Sequence, residues 1–127
     1  MRFRSELAIG TLCFALALGL APDSARSADA EAGKAAYTTN CISCHGVAGK
    51  GDGPVGAALT PPPRDLSKGE FKFDTDGDGK PGTDADLKEV IAKGAAAFGG
   101  SPLMAPWGHL GAAEIENLVA YIHTLKQ

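Results

Sequence analysis

Two cysteines and a histidine stand together in Cys41-Ile42-Ser43-Cys44-His45. The C-x-x-C-H spacing is the signature of covalent c-type haem attachment. Each thiol adds to one haem vinyl group to give two thioethers, and the His directly after the second Cys lies beneath the iron as its proximal ligand. The same residue types have other uses. A redox dithiol of the thioredoxin kind would sit beside a βαβ pattern, and a zinc site would want a closely spaced His pair. No stretch alternates apolar and polar residues as a strand does, and His109 and His123 lie 14 positions apart on separate segments. A disulfide between Cys41 and Cys44 would close a loop too short to stabilise much. Haem attachment is the chemistry expected of Cys41, Cys44 and His45.

A haem iron has a second axial position. Beyond residue 30, Met104 is the one methionine, and it stands in Gly99-Gly100-Ser101-Pro102-Leu103-Met104-Ala105-Pro106-Trp107-Gly108. A core methionine filling a gap would normally recur on a helix face, whereas this one lies between prolines that stiffen a loop. His109, five residues on, is the rival ligand, and His123 falls off the main apolar stripe of its segment and reads as an ordinary histidine. Met104 is therefore expected opposite His45, with Trp107 packing at the haem edge. With both axial positions filled, no substrate reaches the iron without displacing a ligand, and electron transfer is the natural chemistry. An open distal position would instead fit a haem enzyme or a gas-binding haem protein. A fixed redox subunit of a larger oxidoreductase is the third reading.

A second chemical motif is Asp74-Thr75-Asp76-Gly77-Asp78-Gly79-Lys80. Asp74, Asp76 and Asp78 are spaced as the first ligands of an EF-hand-like calcium loop are, and Gly79 falls where that loop turns sharply. The closing Glu is missing. Position twelve is Ala85, and Asp84 or Asp86 would have to serve through a distorted loop. The other reading is a solvated, turn-rich acidic loop ahead of a helix.

These residues need elements to position them. Arg2 and Arg4, the apolar stretch Leu7 to Ala21 and the small-x-small site Ala28-Asp29-Ala30 have the layout of a secretory signal peptide. The stretch is 15 residues long, short of the ~20 that cross a bilayer. Cys13 lies inside it behind Thr11-Leu12, without the small residue that a lipid-attachment site would want. Cleavage after Ala30 is expected, leaving 31–127 as one small exported domain in the periplasm. Residues 1–30 carry Arg2, Arg4 and Arg26 against Glu6, Asp23 and Asp29, so their loss leaves the net charge at −3. That balance gives no support to nucleic-acid binding and suits redox partners with a basic docking patch.

In the remaining chain, helices are expected at Ala32 to Asn40, at Asp84 to Lys93 and from Ala112 to about Lys126. Thr83 can cap the second with Asp86 as its reciprocal partner, and Gly94 stops it. Ile115, Leu118, Val119, Ile122 and Leu125 recur at helical spacing in the third, where Gly111 is a weak cap. The rest is rich in Gly and Pro. Short helices and long loops bury little by themselves, and a bulky apolar cofactor would complete the core.

With Gly33 and Tyr37 ahead of the C-x-x-C-H motif, Gly46, Gly51-Asp52-Gly53-Pro54 and Pro61-Pro62-Pro63-Arg64-Asp65-Leu66 after it, Met104 before Pro106-Trp107, and Tyr121 near the end, residues 31–127 resemble a small bacterial class I c-type cytochrome. Family Met loops usually read Met-Pro, and here Ala105 intervenes. The resemblance implies an all-α fold of three to five short helices wrapped around one covalent haem. It implies terminal helices that cross at Gly33 against Tyr121, and an electron carrier rather than an enzyme. It further implies that a proline carbonyl accepts the Nδ1–H of the ligand His, a role that Pro54 matches best.

Overall fold

The Asp29 side chain opens the first helix two residues earlier than its apolar pattern indicates. Its Oδ1 accepts the N–H groups of Glu31 and Ala32 at 2.9 and 3.2 Å, filling donors that a helix start leaves open. α1 then runs Ala30–Asn40. The computed structural model describes residues 27–127, so residues 1–26, most of the signal peptide expected over 1–30, lie outside the described residues. α2 (Ile42–His45) follows, then α3 (Asp84–Lys93) and α4 (Ala112–Thr124). Short 3-10 turns lie at Gly56–Ala58, Leu66–Lys68, Ala95–Phe98 and Gly108–Leu110. The described residues contain no strand, and the fold is all-α.

α3 carries the expected capping box. The Thr83 hydroxyl accepts the Asp86 N–H at 3.2 Å and the Asp86 carboxylate accepts the Thr83 N–H at 2.9 Å. Gly94 ends the helix with φ at +79°, a conformation open to glycine at no steric cost. α4 has no side-chain cap, as Gly111 foretells.

α1 and α4 cross at Gly33. A β-carbon there would overlap the Asn117 carbonyl and come to 3.0 Å from the Tyr121 β-carbon, so only glycine permits the backbone approach. The crossing buries Ala36 and Tyr37 of α1 against Ile115, Leu118, Val119 and Ile122 of α4. Tyr37 and Tyr121 meet as tilted rings 5.1 Å apart, a favourable aromatic arrangement. Leu87 and Ile91 of α3 and Leu66 from the long loop complete the cluster. At its rim Lys88 pairs with Glu116 at 3.3 Å, and His123 with Asp84 at 2.7 Å. These pairs are solvent-exposed and fix orientation more than they stabilise.

Candidate haem-binding site

α1 and α2 form one helical path bent at Cys41, whose N–H donates to the Tyr37 carbonyl at 2.8 Å. The Cys41 carbonyl in turn accepts from the N–H groups of Cys44 (3.2 Å) and His45 (2.9 Å). Cys41 and Cys44 stand three residues apart on a helical turn and so share a face. Both are half-buried free thiols, and Cys41 packs against the apolar cluster with Ile42. Burial, with a smaller contribution from Cys44, pushes the Cys41 thiol up to about 11. A redox-active dithiol needs the opposite shift. The upward shift does not favour thiol exchange at Cys41.

His45 ends this turn. Its Nδ1 lies 3.3 Å from the Arg64 carbonyl. A carbonyl only accepts, so Nδ1 carries the proton and Nε2 keeps its lone pair. Burial holds the imidazole below its usual pKa, against the opposing pull of the Arg64 bond. A neutral ring with Nε2 free is the form that binds a metal.

Pro54 does not play the part that the resemblance implied. The carbonyl at the His45 ring is that of Arg64, and Pro54 is exposed. The reason lies in how the loop docks. It turns N–H groups to the C-terminal carbonyls of α2: Gly51 to His45 O at 2.9 Å, Gly53 to Cys44 O at 3.2 Å and Val55 to Ser43 O at 2.9 Å. Pro54 sits among these donors with no N–H of its own. The stiff run Pro61-Pro62-Pro63 then delivers Arg64 to the imidazole. Two further contacts escape sequence reasoning. The buried Tyr37 hydroxyl donates to the Gly46 carbonyl at 2.8 Å, directly after His45. The Leu66 N–H returns to the Gly49 carbonyl at 2.6 Å and closes the loop. The proline run hints at rigidity, but nothing in a side chain marks a carbonyl as an acceptor.

The Met104 loop is tied to α3 and the turn after it. The Met104 N–H donates to Ser101 O, and Met104 O accepts from the Ala95 N–H, both at 3.2 Å; the Trp107 N–H reaches Ile91 O at 2.9 Å. Met104 is half-buried, while His109 is exposed and rests against the Trp107 ring, centroids 5.6 Å apart. Trp107 itself packs on the apolar cluster. Two half-buried thiols on one turn, an imidazole with Nε2 free and an adjoining apolar cluster are donor chemistry that fits a c-type haem, while the half-buried Met104 thioether stands on a separate loop.

Ligand oxygens of Asp74, Asp76 and Asp78 gather within 4.8 Å of one another. Neither candidate for the closing ligand is free. Both oxygens of buried Asp86 are taken by Thr75 (N–H 2.6 Å, hydroxyl 2.8 Å) and Thr83 (N–H 2.9 Å, hydroxyl 2.7 Å). Asp84 is paired with His123.

The chain is 33% identical over 109 residues to the Cbb3-type cytochrome c oxidase subunit CcoP of Azospirillum brasilense, covering 85% of this chain and 32% of that one. Among solved structures it is similar to a chain of the Kuenenia stuttgartiensis reducing HAO-like protein complex, with a TM-score of 0.65 and 30% identity. That likeness covers 80% of this chain and 44% of the other. The chain thus spans about a third of the curated relative and less than half of the solved one. No helix among the described residues is long and apolar enough to cross a membrane. The family model for cytochrome c matches residues 30–126, and the chain belongs to the cytochrome c family.

Proposed function

We propose that this protein is a periplasmic single-electron carrier holding one haem c, with thioethers at Cys41 and Cys44 and with His45 and Met104 as axial ligands. Bound haem supplies a one-electron iron couple, whose potential a thioether opposite an imidazole raises relative to two imidazoles. The observation that carries the reading is the bond from His45 Nδ1–H to the Arg64 carbonyl, which fixes the ring and leaves Nε2 as the donor. Tyr37 anchors the chain just after His45, and the 51–55 segment satisfies the carbonyls of the attachment turn. In this reading the site residues hold and orient the haem, and the partners are other redox proteins.

The test separates attachment from ligation. Denatured protein should retain one haem by mass spectrometry, and replacing Cys41 and Cys44 by Ala should abolish that. Met104→His should lower the reduction potential with the haem still attached, and Met104→Ala should let the reduced protein bind carbon monoxide. A parent protein that binds carbon monoxide freely near neutral pH would exclude Met104 and favour an enzyme or sensor. A second reading, a fixed subunit of a larger oxidoreductase, draws on the likeness to an oxidase subunit. Co-purification of a stable partner with the native protein would favour it over a diffusible carrier.

A further inference from the structure

We propose that the leader is cut between Ser27 and Ala28, so that Asp29 and Ala30 remain in the mature domain. The proposal rests on the export reading given above and moves its boundary three residues toward the N-terminus of the chain.

The argument is what a cut after Ala30 would remove. Asp29 makes four bonds. Its Oδ1 accepts from Glu31 and Ala32, its carbonyl accepts the Gly33 N–H at 2.9 Å, and its own N–H donates to Asn117 Oδ1 at 2.7 Å. The last bond joins the start of α1 to α4 beside the Gly33 crossing, across 88 positions of chain. Removing residues 29 and 30 deletes all four. It also leaves the α-ammonium of Glu31 at a helix N-terminus, where the helix dipole already presents positive charge. The Ala30–Glu31 bond itself lies within α1.

Ser27 and Ala28 differ on each count. Both are exposed and belong to no helix. Ala25-Arg26-Ser27 supplies the small-x-small pattern that a leader peptidase reads, with Ala25 and Ser27 at the two small positions. A chain beginning at Ala28 keeps the whole cap and its tie to Asn117.

The test is N-terminal sequencing and intact mass of the haem-loaded protein exported from the full-length chain. A start at Ala28 is expected. A start at Glu31 would overturn the boundary while leaving export intact. A chain still beginning at Met1 would overturn the export reading and the proposal with it. Ser27→Phe sharpens the choice, because it spoils the upstream pattern and leaves Ala28-Asp29-Ala30 untouched. Uncut precursor should then accumulate, and efficient processing to Glu31 would overturn the proposal. Asp29→Ala in the full chain should lower the thermal midpoint of the mature protein by roughly 4–8 °C, the shift of a lost cap in a domain this size. An unchanged midpoint would remove the reason for keeping Asp29.

Discussion

The loop after α2 and the loop before α3 are both rich in glycine, yet they direct their hydrogen bonds in opposite ways. The first, residues 46–66, turns its N–H groups outward onto the carbonyls of the Cys41–His45 turn and closes on itself through Leu66. The second, residues 74–82, turns inward. The Asp74 carboxylate accepts the N–H groups of Gly77, Asp78 and Gly79, and its firmest tie to the rest of the protein is buried Asp86. The glycines differ accordingly. Gly53 and Gly56 do not have positive φ, but a β-carbon on either would overlap carbonyls of residues 42–44. Gly77 and Gly79 have φ of +73° and +83° with open space around them. Gly53 and Gly56 thus serve room and Gly77 and Gly79 backbone conformation, while Gly46, Gly49 and Gly51 of the first loop and Gly82 of the second combine a positive φ with close neighbours.

The largest expected effect comes from filling that room. Gly56→Ala should destabilise by about 3 kcal/mol, the upper part of the usual cost of overpacking, because the obstacle is backbone and cannot rotate away. It should also disturb the Cys41–His45 turn, since the displaced carbonyl belongs to Cys44. Gly79→Ala should cost about 1–2 kcal/mol, the penalty of a left-handed conformation. Asparagine separates the causes. Gly79→Asn should recover most of the loss, since Asn tolerates left-handed backbone, whereas Gly56→Asn should be no better than Gly56→Ala. Urea unfolding of the four variants checks this, and equal rescue at both positions would erase the distinction.

The next effect concerns the tie between the acidic loop and α3. The Thr75 N–H first, then the Thr83 hydroxyl, hold the Asp86 carboxyl well below the usual carboxylate range, outweighing its burial. A carboxylate whose folded pKa is depressed contributes stability that is present above its unfolded value, near 4, and lost as pH falls through the folded one. The thermal midpoint should therefore decline as pH drops below about 4. Asp86→Asn should lower the midpoint at neutral pH and flatten that decline. An Asn variant with the parent's acid slope would place the acid sensitivity elsewhere.

How far the sequence foretold these two regions follows from the range of each interaction. The Thr83–Asp86 box spans three residues, and local spacing makes it legible. The bond from Asp86 to Thr75 spans eleven and depends on how the loop returns, so the sequence left open Asp86 as a calcium ligand in a distorted loop. The attachment residues Cys41, Cys44 and His45 are legible because the chemistry dictates their spacing. The Arg64 carbonyl is not, because every residue has a carbonyl and only the docked loop selects one; family likeness pointed to Pro54 instead. Gly33 was legible through the resemblance alone. Composition marks a glycine, but not whether it serves room, as at Gly56, or conformation, as at Gly79.

The smallest effect tests whether the inward-turned loop also takes a cation. Each of its three carboxylates already accepts a backbone N–H: Asp74 from three, Asp76 from Asp78 at 3.2 Å, Asp78 from Lys80 at 2.8 Å. These bonds preshape the turn and leave further lone pairs on each carboxylate. A strong calcium loop adds a bidentate closing carboxylate, and here Ala85 holds that position while Asp84 and Asp86 are committed elsewhere. Any calcium affinity should then fall in the millimolar class. Calcium at five times such a dissociation constant would stabilise by about 1 kcal/mol, a rise of a few degrees in the thermal midpoint. Asp76→Ala should abolish the rise while leaving the calcium-free midpoint near the parent's, because Asp76 contributes a single long bond. Asp74→Ala should lower the midpoint even without calcium, because three N–H groups lose their acceptor. A rise much larger than this would require Asp84 to leave His123 and close the loop, which Asp84→Asn would then reverse. No rise at all would leave a turn held by its own amides.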